Sequence, residues 1–171
     1  MGTILTFARG LLRLMSKYVE WSNELSVGVD EIDEQHKMLV ELLNQMHEAV
    51  RERQAAQITN NILERLGEYT RVHFAVEESL MHITHCPDYA WHKVEHDQLI
   101  GQLQELREKL ADGKHSISFE LVHFLKVWLT KHIMESDKRY SSHFLAYGIN
   151  PELVPHNASW IRRCWRFLRG G

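Results

Sequence analysis

Apolar positions in this 171-residue chain recur at intervals of three and four, the spacing that lines one face of an α-helix, in four separate stretches. The first carries Ile32, Leu39, Leu43, Met46 and Val50. The second carries Ile58, Ile62, Leu66, Tyr69, Val76, Leu80 and Ile83, and the third Leu99, Leu103, Leu106 and Leu110. The fourth carries Leu121, Leu125 and Trp128 and continues to about Tyr140. The breaks between them are short: RERQAAQ, THCPDYA with Pro87 against helix continuation and Asp88 as a cap, and ADGKHS with Gly113 as a stop. The two-residue alternation of strands is absent. Short breaks return each helix alongside its predecessor, so the pattern predicts an all-α, antiparallel up-down-up-down four-helix bundle. Residues 18–30, YVEWSNELSVGVD, lack sustained helical period and predict an extended arm against the bundle. Asp30 is the expected N-cap of the first helix and Asp33 its reciprocal partner.

Histidine interrupts every one of these stripes: His36 in the first, His73 in the second, His92 and His96 in the third, His132 in the fourth. An imidazole buried without a partner costs on the order of 1–3 kcal/mol. Five of them cannot easily be satisfied by helix backbone, whose groups are already paired. A metal centre satisfies them together through neutral ring nitrogens. Glu77 follows His73 by one helical turn and shares its face. Asp137 follows His132 by five residues, about 140° around an ideal α-helix, so its spacing does not by itself bring it to the site. Five imidazoles and two carboxylates exceed one ion and suit two, with iron favoured by the mixed nitrogen and oxygen donors and manganese or zinc as alternatives. A ferritin-like arrangement would need two ExxH pairs, and only Glu120 with His123 is present.

The order and content of GVDEIDEQHKMLV, HFAVEE, HKVEH and HIMESD resemble the hemerythrin family, bacteriohemerythrin type, over about residues 18–145. That resemblance implies a non-haem di-iron centre bridged by a solvent-derived oxide or hydroxide. His92, His96 and His132 would hold one iron, His36 and His73 the other, and Glu77 and Asp137 would bridge them. One position on the second iron would stay open for dioxygen. By the same analogy Leu39, Phe74, Trp128 and Leu129 would wall an apolar oxygen pocket; Tyr140, three residues after Asp137 and on the same side, is expected to make a hydrogen bond to a ligand from behind. The implied function is reversible dioxygen binding for storage, transport or delivery, without catalysis. The alternative is a di-iron enzyme or sensor acting on nitric oxide or peroxide, or one that repairs iron centres. Repair proteins of this kind typically carry a second bridging glutamate, where this chain has Asp137.

Charge changes the picture only at the ends. The net charge is −3, yet residues 1–17 carry +3 and residues 157–171 carry +4, which leaves −10 on residues 18–156. An acidic middle argues against nucleic acid as a partner. Residues 1–17, with Arg9, Arg13 and Lys17 on one face, predict a basic amphipathic N-terminal extension. Residues 146–171 form a C-terminal extension whose SWIRRCWRFLRGG predicts a second basic amphipathic helix. Both suit a membrane surface, a protein partner or the bundle itself. Cys86 and Cys164 form no CxxC, and no apolar run is long enough to span a bilayer. The expected location is cytoplasmic, peripheral at the inner face of a membrane.

Overall fold

The computed structural model describes residues 17–111 and 116–149. The expectations for residues 1–16 and 150–171 of the terminal extensions, and for Gly113, fall outside these residues. Among the described residues the structure is all-helical: α1 is Asp30–Arg51, α2 Ala56–Ile83, α3 Tyr89–Ala111, α4 Phe119–Lys131 and α5 Lys138–Ala146. A π-helical turn, His132–Asp137, joins α4 to α5, so these make up the fourth rod of a four-helix bundle. α1 packs between α2 and α4, and α2 packs on α3 as well.

Two apolar layers fill the interior. The larger includes Leu39, Leu43, Met46, Leu63, Leu66, Leu103, Leu125 and Leu129. The smaller, at the other end, holds Val27, Val29, Ile32, Met81, Cys86, Tyr140 and Phe144, with Cys86 a free thiol. The histidines fall between these layers: along α1 the order is Ile32, His36, Leu39, and along the fourth rod it is Leu129, His132, Tyr140. The apolar stripes run slightly past the core. Ile58 and Ile83, expected on the buried face of α2, are exposed because they lie in its first and last turns, beyond the packed layers.

The arm is extended apart from a 3-10 turn at Asn23–Leu25. It is pinned at both ends. The Asn44 side chain accepts from the Val19 N–H at 2.8 Å and donates to the Val19 carbonyl at 2.9 Å. The Ser141 hydroxyl donates to the Val27 carbonyl at 2.5 Å. Asp30 is not the expected N-cap: it is the first residue of α1, after Val29, and no side chain caps the helix. Asp33 does not close a box with it either. Its carboxylate accepts from the Val27 N–H at 2.8 Å and the Ser26 hydroxyl at 2.5 Å, tying the arm to the helix start instead. A carboxylate in the first turn is favoured by the exposed N–H groups and the helix dipole.

Candidate metal centre

All seven residues, His36, His73, Glu77, His92, His96, His132 and Asp137, are buried and converge between the two apolar layers. They form two overlapping sets. In one, Glu77, His92, His96, His132 and Asp137 each present one donor atom, all within 4.8 Å of one another. In the other, His36, His73, Glu77 and Asp137 do the same. Glu77 and Asp137 belong to both.

The π-helical turn accounts for Asp137. In an α-helix residue i+4 stacks over residue i; with i→i+5 bonding the turn holds about one more residue, so i+5 takes that place. Asp137 therefore returns to the face of His132, its Oδ1 lying 3.1 Å from His132 Nε2. The turn also keeps Tyr140 and Phe144 facing inward.

The donor atoms crowd together, and most of them lack a hydrogen-bond partner. His96 Nε2 and His132 Nε2 face at 3.2 Å. His36 Nε2 lies 3.1 Å from Asp137 Oδ2 without hydrogen-bond alignment, and both His36 nitrogens, His92 Nε2, Glu77 Oε2 and both Asp137 oxygens are buried without a hydrogen bond. So many unpartnered polar atoms in one core would be strongly destabilising unless something else satisfied them. Cations at the two foci would do so, and the donor set fits them.

Outer contacts fix the rings. His73 Nδ1 lies 2.9 Å from Gln35 Oε1 and His96 Nδ1 lies 3.0 Å from Glu78 Oε1. Each Nδ1–H donates to its acceptor, which turns the Nε2 lone pair inward, as metal-binding histidines require. The Tyr140 hydroxyl donates to Glu77 Oε1. Burial, and then the charges of Glu77 and Asp137, push the Tyr140 pKa well above its ordinary value, so it remains a donor. Phe74 stacks on the His96 ring at 3.5 Å between centroids, and Leu39, Trp128 and Leu129 are buried in the same apolar layer. Spacing alone did not single out Gln35, Glu78 or Trp21, whose ring centroid is 6.4 Å from that of His36.

The electrostatics of the metal-free site pull two histidines in opposite directions. Burial, only partly offset by Glu77, lowers His73 from 6.5 to about 4. Burial would also lower His132, but the charges of Asp137, Glu77 and Glu95 raise it to about 9. Glu77 and Asp137 are held below the ordinary carboxylate range despite burial, chiefly by His73 and His132 respectively. The stability from His132 is complete below 6.5 and is lost as pH rises through about 9. That from His73 is complete above 6.5 and is lost as pH falls towards about 4. The two carboxylates add to the acid loss, because their stabilisation disappears as they protonate. Urea unfolding of metal-free protein should therefore show maximum stability near pH 6.5, with the steeper loss on the acid side. A flat profile between pH 5 and 9 would show that these groups do not titrate as a buried cluster.

The family model described as the hemerythrin HHE cation binding domain matches residues 27–143. Bacteriohemerythrin of Stenotrophomonas maltophilia is 35% identical, over 84% of this chain and 92% of its own length. Bacteriohemerythrin of Methylococcus capsulatus is 32% identical, over 68% of this chain and 88% of its own. Among solved structures, wild-type hemerythrin aligns with a TM-score of 0.70 at 29% identity, covering 73% of this chain and 96% of that one. A hemerythrin mutant with a leucine replaced by alanine aligns at 0.71 and 28%, covering 75% and 98%. With most of the chain matched in sequence and fold, and a His, Glu and Asp cluster suited to metal binding at its centre, this protein belongs to the hemerythrin family.

Proposed function

We propose that this protein binds dioxygen reversibly at a non-haem di-iron centre, as a carrier or store and not as an enzyme. The observation that carries the reading is the overlap of two unequal donor sets through Glu77 and Asp137. His92, His96 and His132 would hold one iron, and His36 and His73 the other, with both carboxylates shared. The second set offers one protein ligand fewer, so an ion held there would have room for a small molecule. A pair of ferrous ions held there would be able to supply the two electrons needed to take dioxygen to the peroxide level, and to recover them on its release, without a separate reductant.

The surrounding residues serve reversibility. Gln35 and Glu78 orient His73 and His96, and Tyr140 steadies Glu77 by its hydrogen bond. Leu39, Phe74, Trp128 and Leu129 are buried apolar residues of the layer beside the cluster and would limit the access of water and stray protons to it. Dioxygen taken up by the ferrous protein should be recovered intact on removal of the gas; uptake without return contradicts a carrier. Among the described residues no helix is long and apolar enough to cross a membrane. The basic extensions 1–17 and 157–171 suit peripheral attachment to a membrane surface or protein partner from the cytoplasmic side.

A further inference from the structure

His96 and His73 belong to different donor sets, and their outer nitrogens meet acceptors of different charge. His96 Nδ1 lies 3.0 Å from a carboxylate oxygen of Glu78, whereas His73 Nδ1 lies 2.9 Å from the amide oxygen of Gln35. The distances are nearly equal, and each acceptor stands next in sequence to a residue of the cluster, Glu78 to Glu77 and Gln35 to His36. Both contacts therefore orient their rings alike. What separates them is charge.

The surroundings of each acceptor suit that difference. The Glu78 side chain is 19% exposed and lines a surface groove with Ala75, Ser79, His82, Ile83 and Tyr89. Its second oxygen lies 3.5 Å from Lys93 Nζ, and that ammonium also donates to Asp97 Oδ1 at 2.6 Å. Two carboxylates thus share one ammonium, which leaves a net negative charge outside His96, in reach of solvent. Gln35, by contrast, is 2% exposed, and its Nε2 is buried without a hydrogen-bond partner. A carboxylate at that depth would lose its hydration, which an amide tolerates far better.

We infer that Glu78, set against Gln35, makes the two metal positions electronically unequal, so that an ion at the His92, His96 and His132 position loses an electron more readily than its neighbour. The inference rests on the di-iron reading above. A carboxylate that accepts from a ligating imidazole makes the opposite ring nitrogen more basic, and bonds to a charged acceptor are roughly twice as strong as neutral ones. Stronger donation from His96, with a net negative charge beyond it, favours ferric over ferrous iron and lowers the reduction potential at that position. Glu78 is thus a positioning residue that acts through His96. It eases loss of an electron from the position without room for dioxygen, while neutral Gln35 leaves the open position the less readily oxidised.

The test is an anaerobic redox titration of the iron-loaded full chain, reduced with dithionite and then oxidised by ferricyanide, which accepts one electron from one ferrous ion in each step. Glu78→Gln keeps the side chain's size and an acceptor oxygen but removes its charge. It should retain two irons per chain and raise the lower of the two potentials, which narrows the gap between the steps. The expected change in ferric preference is about tenfold, or about 59 mV for one electron. Lys93→Gln removes the countercharge without touching the cluster, and should widen the gap by a smaller amount. A gap unchanged in both variants overturns the inference alone, as does an equal shift of both potentials, which would be a general effect of charge. Should Glu78→Gln lose its iron, Lys93→Gln still decides, because unchanged potentials there would leave Glu78 with an orienting role only. Wild type that holds no pair of irons overturns the di-iron reading and the inference with it.

Discussion

Asp137→Ala should lose iron and stability together. Its carboxylate belongs to both donor sets, so neither cation focus survives intact without it. The same change leaves His132, raised to about 9 by Asp137, Glu77 and Glu95, buried without its nearest counter-charge. Removing one partner of a buried charged pair costs on the order of 3–5 kcal/mol. That is a large share of the roughly 5–15 kcal/mol by which a domain is stable. Iron per chain and the urea midpoint should fall in the same variant, and His132→Ala should behave alike. A variant that keeps two irons per chain would refute the assignment of that residue as a ligand.

Phe74→Ala should have the second-largest effect. The ring is 4% exposed, stacks on His96, and lies 5.4 Å from the His132 ring and 5.6 Å from the His73 ring. Truncating a buried phenylalanine costs about 3–5 kcal/mol in lost burial and residual cavity. The cavity would open beside three imidazoles, which would admit water. The thermal midpoint should therefore drop, and the ferrous protein should oxidise irreversibly in air faster than wild type. Phe74→Leu should recover most of both. A Phe74→Ala variant with lowered stability but unchanged oxidation would make Phe74 ordinary core.

The helices and the five histidines were legible because an imidazole in an apolar stripe breaks a pattern that is otherwise strict. Glu77 was legible for the same reason, since it follows His73 by one α-helical turn. Asp137 was not: its phase is wrong for an α-helix, and it entered through the resemblance of HIMESD to a family motif. Nothing in HIMESD, without glycine or proline, announces the π-helical turn that corrects the phase. Gln35 and Glu78 were illegible for a different reason. Each stands next to a residue of the cluster, and on a helix an adjacent polar residue normally points to solvent. Whether such a side chain reaches a neighbouring helix depends on packing, which periodicity does not encode. The N-cap at Asp30 failed similarly, because the carboxylate that captures the arm's N–H is Asp33, one turn inside.

The central claim is that dioxygen binds and leaves intact, and a single optical cycle tests it most directly. Protein loaded with ferrous iron under argon is exposed to air, evacuated, and exposed again while its visible spectrum is followed. A carrier gives an absorption band that rises in air, falls under vacuum and returns on the second exposure at nearly its first intensity. A band that never forms, or steady consumption of dioxygen, nitric oxide or peroxide with no stable coloured species, would contradict the account and make the site that of an enzyme.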